Sequence, residues 1–459
     1  MVEHTHAILD EAERANGRYR YFVALDREGA LAQAKSVDQK IRQKQPLGPL
    51  AGVPVSVKDA ICVKGVESRA GSAILNTYVP PFDATAVARI RSAGGIIIGK
   101  TSQDEFGFGT FGMNAGIGFE AARNPVDDAH VCGGSSSGCG GFTALTKHSH
   151  VSLAESTGGS ISAPAAFCGV VGLTPTYGRV SRYGLMDYAS SLDKIGSMGK
   201  SLDDSARLLS VISGRDPLEG TSADEPVDFF PLDESHAPLR VGIVTDLLGE
   251  GIEGAVVSEV KKAARALEKK GAQLSDVSLP KNRRFGVAAY YVTAMAEAST
   301  NLAKFCGLRY GATQELAGSF NSFFSSVRSA NFGAEAKRRV LLGTFVRMAG
   351  YRDAFYVRAL KARQVLIEEF RSVFSDVDVL LHPAMPVRAP RFSEAAELSP
   401  AQTYALDSCT VPANFAGLPH ASIPISGWSS ELPIGIGLTA GHFNEKTLLA
   451  AARLVEASA

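Results

Sequence analysis

No run of roughly 18 or more apolar residues occurs in this 459-residue chain, so no segment reads as a membrane-spanning helix. Neither sign of charge is in excess: Lys plus Arg number 47, and so do Asp plus Glu. That balance argues against a dedicated nucleic-acid binder, which draws its affinity from neutralising phosphates. It still allows a subunit of an assembly that handles RNA elsewhere. Cysteine is scarce, with six residues at 62, 132, 139, 168, 306 and 409, and no two form CxxC. A disulfide framework and a zinc site are both disfavoured. The N-terminal MVEHTHAILDEAERANG lacks the apolar stretch of a signal peptide. Repeats, low-complexity tracts and charge runs are also missing. The remaining composition, 45% hydrophobic and 20% charged, is that of an ordinary globular protein. The expectation is a soluble, cytoplasmic, enzyme-sized protein.

Glycine and serine are plentiful, and they cluster. From Cys132 to Pro175 the chain reads CGGSSSGCGGFTALTKHSHVSLAESTGGSISAPAAFCGVVGLTP. Glycine lets the backbone approach a ligand closely and reach positive φ. Free amides and hydroxyls in such clusters can hold an oxyanion and supply a serine nucleophile. Linkers are polar, whereas this stretch runs into APAAFCGVVGL, which is core material.

Helices and apolar strands alternate along the rest of the chain. Residues 1–46 predict two helices with a break near Asn16 and Gly17. Val53 to Val57 is a strand ending in Lys58 and Asp59. DATAVARIRSAGG is a helix with Asp83 as its cap, and GIIIGK follows as a buried strand. A helix runs from Ser201 to Ile212, and LRVGIVTD is a strand. Val256, Val260, Ala264 and Leu267 form one helical face that ends at Gly271. VDVLLHP and Ile434–Leu438 are strands, and FNEKTLLAAARLVEA is a closing helix. The stretches 216–238 and 389–400 read as surface loops. Length alone allows about three domains. The alternation favours a single large α/β domain, residues 1–459, with a mixed sheet covered by helices on both faces and a helical lobe at about 285–375.

Three short motifs fail on context. GGIIIGKT fits a phosphate-loop pattern, but its three isoleucines look like the strand itself. GFGTFG fits GxGxxG without a preceding apolar strand. GSSSG fits a nucleophile elbow at Ser136, which would need a strand before it and a partner such as His382, His420 or His442. His148 and His150 read as surface residues rather than ligands.

Lys58, at the end of an apolar strand, gains weight from the serine clusters downstream, because Ser–Lys pairs are a known nucleophile arrangement. Together LAGVPVSVKDAI, CGGSSSGCGG and STGGSISAPAAFCGVVGLTPTYGRVSRYG resemble the amidase signature family, from about Leu50 to the end. GKTSQDEFGFGT, SRYGLMDYASSLDKIGSM, AEASTNLAKFCGLRYG, KRRVLLGTF and DSCTVPANFAGLP narrow the likeness to glutaminase subunits of tRNA-dependent amidotransferases. The resemblance implies Ser160 as nucleophile, Ser135 as a relay serine with a cis peptide bond, and Lys58 as base. It implies an oxyanion hole of Thr157, Gly158 and Gly159 with Ser160 itself. Arg339, rather than Arg338, would hold the α-carboxylate of glutamine, and Asp407 the α-ammonium, with Tyr291 favoured over Tyr290 beside them.

The chain departs from the family pattern in three places. Ser156 stands where Asp usually precedes TGGS, and Cys132 where Pro usually precedes GGS. The Ser135–Ser160 spacing is one residue longer than usual, the extra residue falling near Lys147 to His150. Counting back without it would name Ser136 as the relay. By resemblance the chain is a glutaminase that binds no metal or cofactor. Ammonia would pass to a partner subunit that uses ATP and Mg²⁺ to amidate Glu-tRNA(Gln) or Asp-tRNA(Asn), in a heterotrimer with two other subunits. A free-standing amidase and a catalytically dead scaffold are the alternatives.

Overall fold

Seven strands of the chain's sheet are buried along their whole length, and two neighbours among them end at the residues of the candidate site. The computed structural model describes residues 1–232, 238–425 and 432–458; residues 233–237, part of one expected loop, lie outside the described residues. In chain order the strands are β1 (Phe22–Leu25), β2 (Pro54–Lys58), β3 (Ile96–Thr101), β4 (Val151–Ser156), β5 (Val171–Thr174) and β6 (Lys194–Gly199). They continue with β7 (Arg240–Val244), β8 (Gln273–Val277), β9 (Val379–Pro383), β10 (His420–Ile425) and β11 (Ile434–Ala440). All pair into one sheet of order β1-β3-β2-β4-β6-β5-β10-β11-β9-β7-β8. The β3–β2–β4 and β9–β7–β8 stretches are parallel, and the remaining pairs are antiparallel. This is the mixed sheet that the alternation of helices and strands predicts.

The helices begin with α1 (Val2–Tyr19), α2 (Arg27–Arg42), α3 (Thr85–Ser92), α4 (Ser137–Leu145), α5 (Ser162–Cys168), α6 (Leu202–Ile212) and α7 (Gly254–Lys269). From Pro280 to Val373 the chain is largely helical: α8 (Pro280–Asn301), α9 (Phe320–Asn331), α10 (Ala334–Arg347) and α11 (Arg358–Val373). Four more close the chain: α12 (Phe392–Glu397), α13 (Pro400–Ala405), α14 (Val411–Phe415) and α15 (Glu445–Glu456). The expected caps and stripes account for several of them. Ser201 accepts from the Asp204 amide at the start of α6, satisfying a donor that has no partner within the helix. On α7, Val256, Val260, Ala264 and Leu267 are buried along one face. Among the described residues, no helix is long and apolar enough to cross a membrane. The six cysteines form no disulfide.

Local readings fail where a tertiary contact decides. Helix α1 runs through Asn16 and Gly17 and stops at Arg20, which takes a left-handed conformation. Gly17 faces open space, and the Asn16 amide group clamps both the N–H and the C=O of Phe22, so the turn falls three residues later and admits β1. Asp83 does not cap α3. Its carboxylate accepts from the Lys64 amide and pairs with Arg91. His150 is buried, not superficial, and sits between Thr143 and Ser56. The expected loop at 389–400 contains the short helix α12. GGIIIGKT is strand β3, with the Lys100 amine buried against Ser68 and the Asp59 carbonyl.

Helices α8 and α10 cross at Gly343, where an added Cβ would run into the Met295 carbonyl. Such overpacking typically costs roughly 1–3 kcal/mol. Gly343→Ala is therefore expected to lower the melting temperature by several degrees, read by circular dichroism. An unchanged melting temperature would mean that the two helices are not held this close.

Candidate active site

The β2 strand ends at Lys58, whose side chain is fully buried. A buried amine must find partners, and this one finds three. Its Nζ lies 2.6 Å from Ser135 Oγ, 3.0 Å from the Glu155 carbonyl oxygen and 2.8 Å from Glu155 Oε2. Glu155 belongs to the neighbouring strand β4, so the parallel β2–β4 pairing brings the two side chains together.

Ser135 arrives from the loop before α4. The Gly134–Ser135 peptide bond is cis, as the resemblance implied. The Gly133 and Gly134 amides donate to the carbonyls of Phe111 and Thr110, and a Cβ on Gly134 would collide with the Asp104 carboxylate. That crowding is a physical reason for glycine here. Ser136 instead donates to the Glu155 carbonyl at 3.1 Å and does not reach Lys58 among its hydrogen bonds. The contact to Lys58 thus falls on Ser135. No strand precedes Ser136, and His382, His420 and His442 bond elsewhere, so the elbow reading has no support.

Strand β4 runs into the turn Thr157–Gly158–Gly159–Ser160, just ahead of α5. Ser160 is 6% exposed, and no hydrogen bond within the described residues holds its hydroxyl. A Cβ on Gly158 would lie 2.8 Å from the Tyr290 hydroxyl, and one on Gly159 would lie 2.5 Å from Thr410 Oγ1. The glycines therefore let this turn sit directly against α8 and the segment leading into α14. Asn414 Nδ2 donates to the Thr157 carbonyl and holds the turn in place.

The Arg339 guanidinium lies buried among aromatic rings. It is 5.0 Å from the Phe108 ring, 5.3 Å from Tyr291, 5.4 Å from Tyr404 and 5.5 Å from Tyr188. Its Nε donates to Glu335 at 2.8 Å and its NH1 to the Tyr188 hydroxyl at 2.5 Å. Arg338 is 42% exposed at its side chain and points to the other Glu335 oxygen, so the buried arginine is Arg339. Asp407 accepts from Tyr291 at 2.5 Å and from Thr110 at 3.2 Å. Burial pushes its carboxyl up to about 6, against the pull of Tyr291, Thr110 and Arg339. Asp104 is likewise pushed up to about 6 by burial, with the Asn114 amide opposing. Thr110, Arg339, Glu335 and Tyr404 line one cleft of about 310 Å³. Gly107 joins the two halves of the site: a Cβ there would lie 3.5 Å from Ser135 Oγ and 3.7 Å from Tyr188.

Sequence reasoning missed Glu155, Asp193, Tyr188, Glu335 and Tyr404. Glu155 carried one signal, an acidic residue in the otherwise apolar or small run VSLAES. The others depend on tertiary packing. Among the described residues, no group of three or more His, Cys, Asp or Glu could hold a metal ion.

The raised Asp407 value has a consequence for stability. Its ordinary value is 3.8, so the fold favours the protonated form. That contribution is full below about pH 4 and is lost as pH rises through about 6. At neutral pH the buried charge costs on the order of 3 kcal/mol. Asp407→Asn is expected to melt higher than the parent at about pH 7.5 and to lose that advantage near pH 4. An equal difference at both pH values would contradict it.

The whole arrangement has relatives. The Amidase family model matches residues 3–449. The A subunit of the Koribacter versatilis glutamyl-tRNA(Gln) amidotransferase is 42% identical over 447 residues, covering 97% of this chain and 92% of that protein. Its counterpart in Trichormus variabilis is 40% identical over 462 residues, covering 100% and 94%. The solved structure of the same subunit from Thermotoga maritima superposes with a TM-score of 0.80 at 32% identity, over 98% of this chain and 90% of that one. With its cis-peptide serine on a buried lysine and its TGGS turn, the chain belongs to the amidase signature family.

Proposed function

We propose that the chain is the glutaminase subunit of a tRNA-dependent amidotransferase. The observation that carries the chemistry is the 2.6 Å contact between the buried Lys58 amine and Ser135, beside the Ser160 turn. Ser160 Oγ attacks the side-chain amide carbon of glutamine. Its proton passes to Ser135, which hands its own to Lys58. Backbone amides of the Thr157–Ser160 turn receive the oxyanion, a role that rewards fixed donors in a water-poor site. Ammonia leaves with the returned proton, a γ-glutamyl ester remains on Ser160, and water frees glutamate.

Substrate choice falls to the cleft. A guanidinium is suited to an α-carboxylate, and Arg339 is the buried one. An α-ammonium needs an anion, and Asp407, steadied by the Tyr291 hydroxyl, supplies it above about pH 6. The curated relatives carry the amidotransferase name across nearly the full chain, which favours this reading over a free-standing amidase. On it, two partner subunits receive the ammonia in the cytoplasm. One of them uses ATP and Mg²⁺ to activate Glu-tRNA(Gln) or Asp-tRNA(Asn).

Ammonia release from glutamine by the protein isolated with its partners tests the assignment. Ser160→Ala is expected to lose several orders of magnitude while keeping its fold. Retained activity would reject Ser160 as nucleophile. Arg339→Ala is expected to weaken apparent glutamine affinity by roughly 2–5 kcal/mol. A simple amide without α groups should be hydrolysed almost as before; equal loss on both substrates would mean that Arg339 serves the fold.

A further inference from the structure

Glu155 is the one acid in direct contact with Lys58, and the proton count around it is restrictive. A neutral amine has two N–H groups and one lone pair. The three contacts of Lys58 Nζ match that set: the two N–H groups serve the Glu155 carbonyl and Oε2, and the lone pair faces the Ser135 hydroxyl. Once the amine takes a proton, all three N–H groups still point at acceptors. The cage therefore holds both states of Lys58 without moving.

The other Glu155 oxygen is also held. Thr157 Oγ1 lies 2.9 Å from Glu155 Oε1 and 2.7 Å from Asp193 Oδ1. One hydroxyl proton cannot serve two carboxylates. The second contact needs a proton on a carboxyl. Asp193 is the candidate, because burial first and the Glu155 charge second push it well above the usual carboxylate range. Its Oδ2 takes the amides of Tyr188 and Ala189, and Oδ1 accepts only a longer second contact from Ala189 at 3.1 Å, so Oδ1, which faces Thr157, carries the proton toward it. The Thr157 hydroxyl then donates to Glu155, and the negative charge rests on the oxygen that faces Lys58.

We propose that Glu155 is a positioning residue: held by Thr157 and backed by Asp193, it aims the Lys58 amine at Ser135 and balances the ammonium formed when Ser135 gives up its proton. This rests on the reading of Lys58 as the base. The step balances. The Ser135 O–H bond breaks and an N–H bond forms on Lys58 while the Ser160 proton refills Ser135; as the C–N bond breaks, Ser135 gives that proton to the leaving nitrogen and takes its own back from Lys58. Other groups face Lys58 too. Asp104, in the loop after β3, and the Cys139 thiol on α4 both feel its charge. Burial raises the Cys139 thiol to about 11, which keeps it neutral. Lys100, one strand over, is engaged with Asp59. Asp104 is bound to the amides of Gly112 and Asn114, so Glu155 is left as the anion in contact.

The test is the pH profile of ammonia release from glutamine, measured on the protein isolated with its partners. Glu155→Gln is expected to lower kcat roughly 10–100-fold with KM held, as for groups that orient a reacting one. Its acid limb should also move to lower pH, because no anion now favours the ammonium. Glu155→Asp keeps the charge and should keep the limb in place. A Gln variant with parental rate and limb overturns the proposal. So do Gln and Asp variants that lose activity alike with the limb unmoved. Should Glu155→Gln fail to fold, Thr157→Val strips the hydroxyl that pins the carboxylate; a several-fold loss in kcat at constant KM is expected, and an unchanged rate overturns the proposal. Ser160→Ala and Lys58→Ala run beside them: if these stay active the catalytic reading itself fails, and if they are inactive while Glu155→Gln is silent only the role of Glu155 falls.

Discussion

A lysine amine buried at the end of a central strand is the constraint around which this chain is arranged. Water cannot reach Lys58, so each of its hydrogen-bonding positions needs a protein partner. Two come from the adjacent strand, through Glu155, and the third from Ser135. To bring Ser135 there, the chain must pass Asp104 with no side chain at Gly134. Strand β4, which supplies Glu155, ends in a turn toward Ser160 that leaves no room for a Cβ at Gly158 or Gly159. The glycine at 134 thus follows from the path that brings Ser135 to the lysine, and those at 158 and 159 from the turn's packing against Tyr290 and Thr410.

A second constraint is charge in the cleft. Arg339 comes from α10, Tyr290 and Tyr291 from α8, and Asp407 from the segment before α14, so the groups proposed to read the substrate hang on the helical stretch rather than on the sheet. A buried guanidinium with four aromatic faces and Glu335 is fixed in direction. A carboxylate pushed toward neutrality by burial favours binding of a cation and disfavours the empty fold. Stability and recognition therefore pull in opposite directions at Asp407.

Much of this was legible in the chain. PVSVK reads as a strand because burial on both faces leaves apolar and small residues with one charged end, whereas VSLAES, buried in the same way as β4, is not read as a strand from its sequence. Ser135 and the TGGS turn stood out because their neighbours are too small to be chosen for packing, and Lys58 because it ends an apolar strand upstream of those serine clusters. Arg339 and Asp407 came from the family likeness alone; nothing local separates Arg339 from Arg338, and only the fold buries one and exposes the other. Glu155 was hidden for the same reason: its meaning depends on the register of β4 against β2, which no local pattern reports. The Asn16 clamp on Phe22, the diversion of Asp83 to Lys64 and the burial of His150 are further cases where a side-chain partner outside the local pattern overrode a local preference.

The central claim is that Ser160 becomes esterified while Lys58 and Ser135 move the proton. The most direct measurement is intact-mass and peptide-mapping spectrometry on protein acid-quenched during turnover of glutamine. The account predicts a glutamyl mass increment on the peptide that contains Ser160, absent when the Lys58 amine is removed. A glutamyl group on Ser135 or Ser136, or continued turnover with no adduct at any serine, would contradict it.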